Sequence, residues 1–109
     1  MLQIENTVLI VIDIQGKLAQ LAYEKEALFE NTRKLITGAR ILGVPILWTE
    51  QLPDKLGATV PEIAEVLAGC RPIPKASFSC WGEPAFASQF KALGRRQVLL
   101  SGIEAHVCV

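Results

Sequence analysis

The first strongly patterned segment is an almost unbroken apolar run, Thr7-Val-Leu-Ile-Val-Ile-Asp13, rich in β-branched residues and without polar alternation. A run of this kind predicts a strand covered on both faces. A helical stretch follows, with Leu28, Thr32, Leu35, Ala39 and Leu42 recurring at alternating spacings of four and three, the inward stripe of an amphipathic helix. Gly43 supplies its stop, because glycine enters the left-handed conformation without strain. Val44-Pro-Ile-Leu-Trp-Thr49 reads as a second buried strand, with Pro45 tolerable only near its start. Strand, helix and strand at this length form a βαβ unit, whose right-handed crossover makes the two strands parallel.

Beyond it, Glu50 to Ala58 carries Pro53, Asp54 and Gly57 and predicts a loop. Thr59 and Glu62 have the spacing of a capping box, so a short helix is expected from Thr59 as N-cap to Leu67 or Ala68, ended by Gly69. Arg71-Pro-Ile-Pro-Lys75 has two prolines, which exclude a central strand and leave a short extended segment. Glu83-Pro84 opens another helix, with Phe86, Phe90 and Leu93 on one face and Gly94 as its stop, and Gln97 to Gly102 is a third buried strand. The expected fold is α/β: three layers (α-β-α), Rossmann-like, around a mostly parallel sheet. The last strand is followed by Ile103-Glu-Ala-His-Val-Cys-Val109, where a parallel sheet calls for a covering helix. Residues 1–109 are therefore expected to form a single domain that is the N-terminal part of a longer one.

Composition narrows the function classes. Eleven Lys and Arg balance eleven Asp and Glu, giving a net charge of +0. No basic field points to nucleic acid or to an anionic membrane surface. No apolar run approaches the roughly 18 residues of a membrane span, and the N-terminus lacks the positive region of a signal peptide. Three cysteines, an odd number in a chain without an export signal, fit free thiols in a reducing cytoplasm. Hydrophobic residues make up 50% of the chain before glycine is counted, whereas ordinary domains reach about 45–50% with it. The excess predicts a subunit that buries a face, as in a homo-oligomer, or a piece of a larger core.

In an open parallel sheet, ligands bind beyond the carboxyl ends of the strands. Asp13 closes the first strand, Glu50 the second, Lys75 follows the proline-rich segment, and Cys108 lies just past the third strand. A carboxylate directly after Val8-Leu-Ile-Val-Ile12 is expensive to bury without a cation or hydrogen bonds; it is either a compensated functional group or a cap for the following turn. Cys108 is either a small core hydrophobe or a thiol activated at a helix N-terminus beside a lysine. Cys70 and Cys80 lack that placement and read as structural. His106 stands two residues from Cys108, a spacing at which helical side chains do not face each other, so it is a poor base for that thiol. One histidine and three scattered cysteines offer no zinc spacing, and no phosphate-binding glycine motif occurs, so neither metal nor cofactor is expected.

Val8-Leu-Ile-Val-Ile-Asp-Ile-Gln15, Lys75 in its Pro-Lys stretch and Ser101-Gly-Ile-Glu-Ala-His-Val-Cys-Val109 resemble the isochorismatase-like cysteine hydrolase superfamily. Thr49-Glu-Gln-Leu-Pro-Asp-Lys-Leu-Gly57 and Phe78-Ser-Cys-Trp-Gly82 are similar to its isochorismatase-domain subgroup, many members of which have no assigned substrate. The resemblance implies a catalytic triad of Asp13 as base, Lys75 as stabilising cation and Cys108 as nucleophile. It also implies a cis peptide at Ile103-Glu104 that aims the backbone N–H groups of Glu104 and Cys108 at the substrate oxygen, an oxyanion hole. The implied reaction cleaves an amide-type C–N bond in a small molecule through a thioester. Gln15, Glu50, Phe78 and Trp81 are candidates for the pocket wall, with core or loop-anchoring roles as the alternative for the last three. Nicotinamidases in this superfamily carry an Asp-x-His metal motif after the second strand, which Thr49-Glu-Gln-Leu-Pro53 lacks. Siderophore-pathway isochorismatases usually lack the cysteine. The rival expectation is a non-catalytic oligomerising or binding module with the same fold.

Overall fold

The computed structural model describes residues 1–103; Glu104, His106 and Cys108, and with them the Ile103–Glu104 peptide, lie outside the described residues. Four strands form one parallel sheet in the order β3-β2-β1-β4: β1 (Thr7–Ile12), β2 (Ile46–Gln51), β3 (Ile73–Lys75) and β4 (Gln97–Gly102). Every residue of β1 is buried, and its side chains alternate between two cores. Leu9 and Val11 face one layer with Phe29, Ile36 and Ile63. Val8, Ile10 and Ile12 face the other with Ile73 and Phe86. β1 is thus covered on both sides, as the uninterrupted apolar run requires, while β4, expected as a buried strand, is half-buried with Leu100 exposed; the three-layer α/β fold is established.

The helices are α1 (Gly16–Gln20), α2 (Lys25–Ile41), α3 (Pro53–Leu56), α4 (Pro61–Ala64) and α5 (Pro84–Leu93). None among the described residues is long and apolar enough to cross a membrane. Helix α2 ends as its sequence predicts. Gly43 has φ of 74°, its N–H bonds to Arg40 O at 3.2 Å, and the Val44 N–H bonds to Ala39 O at 2.8 Å, the paired bonds of a Schellman motif. Glu83 caps α5, whose Phe86, Phe90 and Leu93 pack on the sheet, and Gly94 ends it in the left-handed region. β3 is a short edge strand, where Pro74 is tolerated.

Three expectations need correction. The buried stripe of α2 is Phe29, Thr32, Ile36 and Ala39, whereas Leu35 and Leu42 are exposed. Second, the Thr59–Glu62 capping box does not form: Val60 is the N-cap of α4 and makes no side-chain cap. The hydroxyl and N–H of Thr59 both donate to Glu50 Oε2 instead, at 2.9 and 2.7 Å. Third, the segment expected as a loop from Glu50 begins inside β2 and contains the single turn of α3.

Candidate active site

Sequence order and strand order together locate the site. The chain runs outward from β1 to β2 and β3, then crosses to β4 on the other side of β1. The switch point of this sheet is the crevice at the carboxyl ends of β1 and β4, where Ile12 pairs with Gly102. Asp13 is the next residue on β1. It leaves the strand with φ of 52°, a left-handed conformation costing an L-residue about 1–2 kcal/mol, though aspartate tolerates it better than most. Such a residue persists where its surroundings over-determine it.

They do so here. Asp13 Oδ1 accepts a 2.8 Å hydrogen bond from the hydroxyl of fully buried Thr49, and the Asp13 N–H donates to Thr49 O at 3.2 Å. Lys75 Nζ lies 2.8 Å from Asp13 Oδ2, with its side chain fully buried. The same ammonium donates to Gln51 Oε1 at 2.7 Å, Ser77 O at 2.9 Å and Phe78 O at 2.7 Å. An ammonium has three protons, so these three oxygens and the carboxylate share them. Asp13 Oδ2, at 2.8 Å, is a fourth oxygen around the same ammonium, and no other group among the described residues donates to it.

The structure thus brings Asp13 and Lys75 together from the ends of β1 and β3. Gln15 is buried and lines the same cleft, but its amide is committed: Oε1 accepts from the Gln51 N–H at 2.7 Å, and Nε2 donates to Gln51 O and Gly57 O at 3.0 and 2.8 Å. Phe78 lines the cleft; Glu50 and Trp81 do not. Glu50 points to the opposite face of β2, where it anchors Thr59, which also accepts from Trp48 Nε1 at 2.7 Å. Trp81 is largely exposed and packs edge-on against Phe86 and Phe90. Thr49 and Gln51, the residues that orient Asp13 and Lys75, escaped the sequence reading. The two-residue period of β2 is the signal that would have found them, since both flank Glu50 and face the other way.

Cys80 is also nearer this pair than its sequence neighbours suggested. It is buried in the core on that side of the sheet, and burial pushes its thiol above the ordinary value of 9.0 despite the opposing influence of the Lys75 ammonium. A thiol whose folded pKa is raised favours the fold fully below 9.0, and that contribution is lost as pH rises from 9.0 through the raised value. Stability should therefore decline on the alkaline side, and the decline should shrink in Cys80→Ala; identical alkaline profiles for the two proteins would refute this.

The turn at Gly16 closes the cleft from one side. Its N–H donates to Ala58 O at 3.1 Å, and a Cβ added there would stand 2.3 Å from Leu56 O at a φ of +51°. Gly16→Ala should cost more than the about 1–3 kcal/mol of an unfavourable backbone conformation alone. Gly38→Ala is the control, in mid-helix with nothing within 4 Å, and should stabilise by about 0.4–1 kcal/mol. Denaturant midpoints shifting alike in the two variants would contradict the close approach.

Residues 7–109 match the isochorismatase domain family. The chain belongs to that family. It is 37% identical to isochorismatase domain-containing protein 2 of Danio rerio over 99% of this chain and 54% of the relative. The human protein of that name is 39% identical over 95% of this chain and 49% of its own length. The chain thus spans about half the length of these curated relatives. Among solved structures, the MAR1 ribonuclease from Caenorhabditis elegans is 40% identical, with a TM-score of 0.85 over 98% of this chain and 55% of that one. The YcaC gene product from Escherichia coli, an octameric hydrolase of unknown specificity, shares the fold with a TM-score of 0.90 at 23% identity, over 99% of this chain and 55% of its own.

Proposed function

We propose that this isochorismatase-domain protein is a cysteine-dependent hydrolase that cleaves an amide-type C–N bond of a small molecule through a thioester on Cys108. The observation that carries the reading is the buried Asp13–Lys75 pair at the switch point of the sheet. Asp13 Oδ2 takes the proton of the Cys108 thiol as sulfur bonds to the carbonyl carbon. The same proton passes to the nitrogen as the C–N bond breaks, releasing the amine. Water then attacks the thioester, its proton moving through Asp13 to the departing sulfur, which releases the acid and restores the thiol. Lys75, paired with Asp13 at 2.8 Å, holds the carboxylate in place and steadies the thiolate. The N–H groups of Glu104 and Cys108 hold the oxyanion, a donor whose loss typically costs on the order of 10²–10³ in turnover.

The site's position favours this reading over the non-catalytic module, because the buried ion pair lines a cleft at the switch point of the sheet, where ligands bind. Connectivity supports Cys108 as its partner: β4 delivers the chain to Gly102, beside Asp13, a few residues before the cysteine. The octameric state of the YcaC gene product supports a homo-oligomer as the working form. Intact-mass spectrometry during turnover of a small-amide panel tests the proposal. An acyl adduct on Cys108 that accumulates and decays is expected, and turnover surviving in Cys108→Ala would overturn it.

Identity to the MAR1 ribonuclease favours a second reading, hydrolysis of RNA. The chain's zero net charge offers no broad phosphate-neutralising surface for it. Cleavage of a labelled single-stranded RNA that is abolished by Asp13→Asn would establish that reading instead.

A further inference from the structure

The cleft above Asp13 has a volume of about 540 Å³, within the range of about 300–1,000 Å³ usual for small-molecule sites. Three large apolar side chains, Leu18, Leu56 and Phe78, converge on it while remaining 54%, 48% and 64% exposed. Their convergence on one concavity marks an apolar surface that a ligand would cover. The charge of the cleft is one-sided. Asp13 is already matched by Lys75, and the remaining charged lining residues are Lys17 from α1 and Lys55 from α3. Neither forms an ion pair or a side-chain hydrogen bond among the described residues. The turns that carry them are fastened to each other by the Gly16 N–H to Ala58 O bond and by Gln15 Nε2 to Gly57 O. The two cations therefore flank the cleft on a fixed frame while their own side chains stay free.

Resting on the hydrolase reading above, we infer that the substrate is a small amide whose apolar body ends in a carboxylate, received between Lys17 and Lys55. The apolar body covers Leu18, Leu56 and Phe78, and the amide carbonyl lies toward Asp13. A neutral ligand leaves both ammonium groups unused, and a cationic one is repelled by them.

Three six-carbon primary amides test this: adipamate, hexanamide and 6-aminohexanamide, followed by ammonia release with the full chain. The carboxylate should be turned over at least about 10-fold more efficiently in kcat/KM than hexanamide, and the cation least, with the preference shrinking as salt screens the exposed lysines. In Lys17→Glu/Lys55→Glu the ratio of adipamate to hexanamide should fall to one or below, while circular dichroism verifies the fold. Turnover of hexanamide equal to that of adipamate, or a ratio unchanged in the variant, overturns the inference and leaves the hydrolase reading standing. If none of the three is hydrolysed, binding decides: adipate and hexanamide are titrated by NMR. Adipate binding that the double variant abolishes supports the anion site independently of the hydrolase reading. Equal or absent binding of the two overturns the site.

Discussion

Lys75→Met should be among the most damaging single substitutions in the fold, lowering stability by about 3–5 kcal/mol out of the about 5–15 kcal/mol that holds a domain together. The reason is the Asp13 carboxylate, which is buried and keeps only the Thr49 hydroxyl as a side-chain donor once Nζ is gone. The opposite deletion is milder. In Asp13→Asn the ammonium retains Gln51 Oε1, Ser77 O and Phe78 O, so its protons stay satisfied. Denaturant titration should therefore rank Lys75→Met well below Asp13→Asn. The double variant Asp13→Asn/Lys75→Met should recover part of the loss, since no unpaired charge remains buried. A cost below about 1 kcal/mol for Lys75→Met would mean that the pair is solvated and that its burial carries no energetic weight.

Asp13→Asn has its large effect on chemistry instead. An amide side chain still fits between Thr49 and Lys75 but cannot carry a proton, so turnover should fall by about 10²–10⁴-fold, the usual contribution of a positioned general acid–base. Because the substrate's apolar body contacts other residues, KM should change much less than kcat. Stopped-assay kinetics on any amide the wild type accepts would measure this. A variant that kept more than about a tenth of its turnover would remove Asp13 from the proton path.

The legible parts of the fold are those in which one local rule settles the outcome. β1 and β4 are apolar runs with little else they can become, and Gly43 and Gly94 end helices because no other residue enters the left-handed region as cheaply. The stripe of α2 was less determinate because two neighbouring lines of apolar residues run along it. Leu28, Leu35 and Leu42 form one, Phe29 and Ile36 the other, and Thr32 and Ala39 adjoin both. Periodicity gives the spacing, but packing against the sheet and α4 selects Phe29 and Ile36. The Thr59 cap failed for a tertiary reason: Glu50, on a different element, takes both of its donors.

The candidate site divides in the same way. Asp13 and Lys75 stood out because a charged group at a strand end must be compensated. Their supporting cast depends on which strands lie side by side. Thr49 reaches Asp13 because β2 lies next to β1, and Gln51 reaches Lys75 because β3 pairs on its other side. Cys80 joins the neighbourhood only through the turn after β3, which no periodicity predicts.

The central claim is that the Asp13–Lys75 pair activates Cys108, and its most direct test is the alkylation rate of each cysteine by iodoacetamide, resolved by mass spectrometry across a pH series. At about pH 7 Cys108 should react fastest, ahead of half-buried Cys70, and Cys80 slowest because it is buried with a raised pKa. Asp13→Asn and Lys75→Ala should both slow Cys108 and leave Cys70 unchanged. A Cys108 that reacts no faster than Cys70, or whose rate ignores both substitutions, would contradict the account while leaving the fold intact.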